Sequence, residues 1–119
     1  TIAGDPGGHR FGFRCTGLGD VDGDGLEDVA ISSLPSASAG VPGRVHLFLG
    51  STLAAASGVV GLEIADVSFV GTSASEEFGY TTHGTDLDGD GRADLAIGIR
   101  RSNIAGGNSG RVTLTLSPY

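Results

Sequence analysis

Apolar residues along this chain recur at every second position in short runs, and turn-forming residues separate the runs. Val29-Ala30-Ile31-Ser32 and Leu95-Ala96-Ile97-Gly98 alternate in this way, as do Val45, Leu47 and Leu49, and then Val112, Leu114 and Leu116. A period of two is the signature of strands with one face turned to a core. The pattern predicts strands over residues 11–16 and 78–83, over 28–33 and 94–99, over 44–49 and 111–116, and over 64–70. Phe11, Phe13 and Cys15 are expected on one face of the first strand, and Val45, Leu47, Leu49, Val112, Leu114 and Leu116 are expected to point inward. Between them, residues 34–43 and 100–110 are rich in Gly, Ser and Pro, which is turn chemistry. Residues 51–63 combine a helix-compatible Leu53-Ala54-Ala55-Ala56 with Gly58 and Gly61, which favour a loop.

The runs are copies of one another. Thr1-Ile2-Ala3-Gly4 aligns with Ser68-Phe69-Val70-Gly71 at an offset of 67, and the same offset brings Phe11-Gly12-Phe13 onto Phe78-Gly79-Tyr80. It falls to 66 around residues 20–28 and 86–94, then returns to 67 where Arg44-Val45-His46-Leu47 meets Arg111-Val112-Thr113-Leu114. A repeating four-stranded antiparallel meander, with Ala30, Ser32, Ala96 and Gly98 small where sheets stack, predicts an all-β fold of β-propeller blades. The first blade covers about 11–70. The second, 78–119, lacks its outer strand, and residues 1–4 match the tail of a preceding outer strand. Two blades do not close a ring, so further blades come from a longer chain or from head-to-tail association of identical chains.

Between the first and second strands of each copy lies an acidic loop. Asp20-Val21-Asp22-Gly23-Asp24-Gly25-Leu26-Glu27-Asp28 matches Asp86-Leu87-Asp88-Gly89-Asp90-Gly91-Arg92-Ala93-Asp94 without a gap. Close pairs of like charge repel by roughly 1 to 4 kcal/mol at surface dielectrics, which a divalent cation offsets. Oxygen donors at positions one, three and five, a turn glycine at six and a backbone carbonyl at seven follow the pattern of a calcium loop. Magnesium fits less well because it keeps several waters. Position twelve is Ile31 or Ile97 rather than the glutamate of an EF-hand. The expected ligands are Asp20, Asp22, Asp24, Asp28 and the Leu26 carbonyl at one Ca2+ site. At the other they are Asp86, Asp88, Asp90, Asp94 and the Arg92 carbonyl.

Composition then narrows the function. The net charge is −7, and nine of the fourteen acidic residues lie in the two loops, so two calcium ions bring it to −3. That balance argues against nucleic acid or an anionic membrane as the main partner. No stretch approaches the roughly 18 apolar residues of a membrane span. Cys15 is the single cysteine, which excludes an internal disulfide, and its place in a strand predicts a small buried residue. His9, His46 and His83 are scattered and form no catalytic motif. Asp-rich loops of weak affinity, with Kd on the order of 0.1 to 1 mM, fill only where calcium is abundant, outside the cytosol.

The combination of Phe11-Gly12, residues 20–28 and the strand after them, repeated as Phe78-Gly79, residues 86–94 and the strand at 95–99, resembles the FG-GAP repeats of integrin α-subunit propellers and their bacterial relatives. The resemblance covers practically the whole chain. Ser33-Leu34-Pro35 keeps only the proline of the family's Gly-Ala-Pro element, and Ile99-Arg100-Arg101 keeps nothing of it. The resemblance implies a seven-bladed ring with calcium loops on one face and ligand-binding loops on the other. The meander places residues 34–43, 72–77 and 100–110 on the face opposite the calcium loops, as a candidate surface for a protein or cell-surface ligand. Two other functions remain open: a lectin-type propeller, although these loops hold no aromatic platform, and an accessory region of a larger secreted enzyme. Arg100 and Arg101 are expected to be a solvated pair.

Overall fold

The computed structural model describes residues 1–7 and 9–119. Strands β1 (Phe11–Gly19), β2 (Asp28–Ser33), β3 (Arg44–Phe48) and β4 (Val67–Val70) form one antiparallel sheet in that spatial order, here unit one. Strands β5 (Phe78–Thr85), β6 (Asp94–Ile99) and β7 (Arg111–Thr115) form a second, unit two. Residues 51–63 do carry a short helix, α1 (Gly50–Ala55), before an irregular stretch. β4 starts three residues later than the alternation suggests. Leu62–Ile64 form a 3-10 turn, and Asp66 then caps the end of β3 by accepting from the Leu49 N–H at 2.7 Å. Among the described residues, no helix is long and apolar enough to cross a membrane.

The core lies between the sheets. Ala30, Val45 and Leu47 of unit one pack with Phe78, Leu95, Ile97 and Ile99 of unit two, and burying a side chain such as Leu47 is worth about 1.5–3 kcal/mol. Small residues permit the approach, as their alternation with larger ones predicts. A Cβ on Gly79 would lie 2.9 Å from Val45 Cγ2 and 3.1 Å from Ser32 Cβ, and its φ of 81° is one that glycine adopts without strain. Gly4 abuts Phe11 as Gly71 abuts Phe78, with gaps of 2.6 and 2.7 Å for a Cβ at either glycine, which carries the 67-residue offset into three dimensions.

Three expectations need correction. Phe11, Phe13 and Cys15 do not share a face. β1 pairs Phe11 with Ser33 but Arg14 with Ser32, so a bulge breaks the alternation. Phe11 meets the His46 ring at 5.8 Å while Phe13 meets Tyr80 at 5.7 Å. Cys15 is exposed rather than buried. β1 is an edge strand whose Arg14 and Thr16 turn toward β5, with Thr16 Oγ1 2.7 Å from Thr82 Oγ1, and Cys15 points the other way. Finally, Val45 and Leu47 are fully buried, whereas Val112, Leu114 and Leu116 are 64, 59 and 53% exposed. Unit two packs onto that face of unit one; among the described residues, no sheet packs onto the same face of unit two.

Residues 1–3 lie beside the irregular stretch of unit one. The Ala3 N–H donates to the Val60 carbonyl at 2.8 Å, the Val60 N–H to the Thr1 carbonyl at 2.9 Å, and Ile2 forms a parallel bridge with Val60.

Candidate metal centres

Each acidic loop is folded by its own carboxylates, and the two fold alike. Asp20 Oδ1 accepts from the Gly23 N–H at 2.6 Å and its Oδ2 from the Gly25 N–H at 2.8 Å; Asp86 accepts from Gly89 and Gly91 at 2.6 and 2.9 Å. Asp22 Oδ1 takes the Asp24 N–H and Asp88 Oδ1 the Asp90 N–H, both at 3.1 Å. Asp24 and Asp90 accept from Leu26 and Arg92 respectively, each at 2.8 Å. These are turns in which Asp binds the backbone two residues on, the reason Asp and Gly alternate here. The loop glycines 23, 25, 89 and 91 all have φ between 81° and 90°, so the tight path requires residues without a Cβ.

The ninth carboxylate has a different task. Asp28 is buried, and takes the Val21 N–H on Oδ2 and the Gly50 N–H on Oδ1, both at 2.7 Å. Asp94, also buried, takes the Leu87 N–H at 2.7 Å and the Ser117 N–H at 2.8 Å. Each thus ties its loop to the chain leaving the third strand of the same unit. Sequence reasoning missed Gly50 and Ser117, since a backbone donor leaves no mark on residue type.

The structure gathers Asp20, Asp22 and Asp28 so that one oxygen of each lies within 4.8 Å of the others, and Asp86, Asp88 and Asp94 likewise. Asp24 and Asp90, expected in the same sets, stand outside these triads on the exposed side of each loop. Leu26 and Arg92, expected to contribute carbonyls, sit at the turn that Asp24 and Asp90 fix. The two loops adjoin: the Ala93 N–H donates to the Asp20 carbonyl at 2.8 Å, and Arg92 lies over Gly23.

Charge within the loops is unequal. The Gly25 N–H above all, helped by those of Gly23 and Asp24, holds the Asp20 carboxyl below its usual range, and the Ser117 and Leu87 N–H groups do the same for Asp94. Asp22 shifts upward through loss of solvent and the nearby charges of Asp24, Asp28 and Asp20. Among the described residues, no basic side chain forms an ion pair with any of these carboxylates. An all-oxygen, anionic, converging donor set of this kind fits a hard divalent cation.

At the other end of the strands, residues 72–77 and 100–110 are drawn together by a cluster that sequence reasoning also missed. Buried Glu76 accepts from Thr72 Oγ1 at 2.9 Å and from Ser102 Oγ and Arg111 Nη2, each at 3.1 Å. Arg100 is not a free solvated cation: its Nε lies 2.6 Å from Glu77 Oε2, and its guanidinium stacks 4.5 Å over the Tyr80 ring. Arg101 reaches the same Glu77 at 3.4 Å.

Residues 78–114, which run from the Phe-Gly step through the acidic loop into β7, match the FG-GAP repeat family. The chain carries an FG-GAP repeat. It is similar to integrin alpha-M of Mus musculus, with 40% identity over 92 residues, or 76% of this chain and 8% of that protein. Integrin alpha pat-2 of Caenorhabditis briggsae is 31% identical over 107 residues, 87% of this chain and 8% of that one. Integrin alpha-PS2 of Drosophila melanogaster is 33% identical over 95 residues, 79% and 7%. This FG-GAP chain therefore spans under a tenth of the length of the relatives it matches. FG-GAP repeats are β-propeller blades, and the two stacked sheets are an integrin-like β-propeller module.

Proposed function

We propose that this chain is a calcium-stabilised, non-catalytic part of an extracellular β-propeller. In this reading calcium closes each acidic loop, and the loops at the opposite end bind a protein or cell-surface ligand. The observation that carries the proposal is the likeness of the two loops, which share five carboxylate-to-backbone hydrogen bonds around carboxylates that converge within 4.8 Å and have no basic partner among the described residues. In this reading the converged Asp20, Asp22 and Asp28 hold one ion, with Asp24 and the Leu26 carbonyl closing on it from the exposed side of the loop. Asp86, Asp88 and Asp94 hold the other, with Asp90 and the Arg92 carbonyl closing in the same way. The ion joins carboxylates from both ends of a hairpin, so its role is structural: it neutralises crowded charge and stiffens the loop. Affinities of about 0.1 to 1 mM suit a compartment where calcium is millimolar, and that supports an extracellular site.

Similarity to integrin α subunits supports adhesion or ligand binding as the role of the whole protein, with further blades completing the propeller. The surface formed by residues 34–43, 72–77 and 100–110 suits the ligand because Glu76 and Glu77 fix two of its loops in one arrangement. The non-catalytic part of the reading rests on the sequence, in which His9, His46 and His83 are scattered. His46, the most buried histidine, gives Nδ1 to a 2.8 Å bond with Ser68 Oγ inside the sheet.

Thermal unfolding in millimolar calcium and in chelator tests the reading. Calcium is expected to raise Tm by about 5–10 °C, and Asp90→Ala to remove much of that rise. An identical Tm in both buffers contradicts a structural metal.

A further inference from the structure

We infer that the two acidic loops bind calcium cooperatively, through two peptide groups that run from one loop into the other. The inference rests on the calcium reading above and adds to it how the two sites communicate.

The path is continuous. The Arg92–Ala93 peptide supplies the carbonyl assigned above to the second ion. The N–H of that same peptide, on Ala93, donates to the Asp20 carbonyl of the first loop at 2.8 Å. That carbonyl belongs in turn to the Asp20–Val21 peptide, whose N–H donates to Asp28 Oδ2 at 2.7 Å. Asp28 is one of the three carboxylates that converge in the first loop. Both peptides are trans, so the C=O and the N–H of each point to opposite sides of the chain. Two hydrogen bonds and two peptide planes thus join an oxygen of the second donor set to an oxygen of the first.

The path is also dry and closely packed. Val21 is 1% exposed and Ala93 8%, and both belong with Leu18 to the hydrophobic core. A Cβ at Gly84 would strike the Leu18 carbonyl, and one at Gly19 would stand 3.4 Å from Ala93 Cβ. The ends of β1 and β5 that carry the two loops therefore meet backbone to backbone. Away from water, hydrogen bonds in series polarise one another by about 10–30% each.

Ordering is the larger effect. Asp20 folds the first loop through Gly23 and Gly25, and its own carbonyl is held by Ala93. With the second loop closed on its ion, the Arg92–Ala93 peptide is fixed, and with it Asp20 and the Val21 N–H that aims Asp28. The first loop then loses less freedom on binding, which favours its ion. Repulsion between the ions does not reverse the sign, because each loop sets four aspartates against the two positive charges of its ion. By linkage the effect is mutual: either ion raises the affinity of the other by the same factor, here about fivefold.

Asp22→Asn and Asp88→Asn each weaken one donor set yet keep the Oδ1 that takes the Asp24 or Asp90 N–H. In calorimetric titration, the ion remaining in each variant is expected to bind about fivefold more weakly than the second ion of the unmodified chain, once the statistical factor is removed. In Asp22→Asn, where calcium enters only the second loop, exchange of the Val21 amide hydrogen in the first loop should slow roughly threefold. Replacing the Arg92–Ala93 amide by an ester deletes the Ala93 N–H and keeps every side chain; it should abolish both effects while circular dichroism stays unchanged. If the ester chain does not fold, the two aspartate variants still decide. Two ions bound independently, with the same affinities in the variants as in the unmodified chain, or a coupling that survives the ester, would overturn the inference and leave the calcium reading intact. No calcium binding at all would overturn both.

Discussion

Units one and two carry the same alternation of apolar residues, and they bury it differently. Val45 and Leu47 are sealed, whereas Val112 and Leu114, at the same places in the repeat, face outward. The strands themselves do not account for this, since both pair antiparallel in the same register, with Val45 opposite Ser32 and Val112 opposite Gly98. The difference is made by the neighbour. In stacked blades a strand's period says which side chains share a face, and the adjacent sheet decides whether that face is covered.

The widest expected gap comes from truncating equivalent leucines. Leu47→Ala should cost about 2–5 kcal/mol of stability. Leu114→Ala should change it by less than about 0.5 kcal/mol, provided urea unfolding is followed at a dilution where the chain is monomeric. Equal losses would mean that the two faces are covered alike.

A smaller effect is expected where the units agree. Asp28→Asn keeps one acceptor for two backbone donors, Val21 and Gly50, and should lower stability by about 1–3 kcal/mol even in chelator. Asp94→Asn should act in the same direction through Leu87 and Ser117. If Asp28→Asn matters only when calcium is present, its carboxylate serves the ion alone and does not clamp the hairpin.

Acid separates the units most finely. Burial first, then Arg44, holds the His46 pKa below the ordinary histidine value of 6.5. The unfolded chain then takes up a proton that the folded chain refuses, so stability is full above about pH 6.5 and falls as pH drops toward the folded pKa. Unit two has Thr113 at this place, so His46→Gln should remove this first step. Asp20 and Asp94, held below the usual carboxylate range, add a second loss on passing below about pH 4. Asp22, shifted upward, opposes it by shedding crowded charge.

Much of this architecture is legible in residue order. β2 and β6 begin and end where the alternation does, because each is a central strand with no insertion. The acidic loops follow from the spacing of Asp and Gly, whose turn preferences are local. β1 was harder to read, because its bulge forms against Ser32 and Ser33, far along the chain, and moves Phe13 off the face that strict alternation assigns it. Coverage of Cys15 and Val112 depends on a neighbouring sheet, which periodicity does not report. The Gly50 and Ser117 clamps use backbone N–H groups. Glu76 reads as an ordinary loop carboxylate until folding brings Ser102 and Arg111 beside it.

The central claim is that two equivalent acidic loops each hold one calcium ion. Calorimetric titration of calcium into the metal-free chain, alone and as Asp88→Asn, tests it most directly. The account predicts two ions bound per chain with similar affinities near millimolar, and one ion for the variant. Binding of no ion, or an undiminished two in the variant, would contradict it.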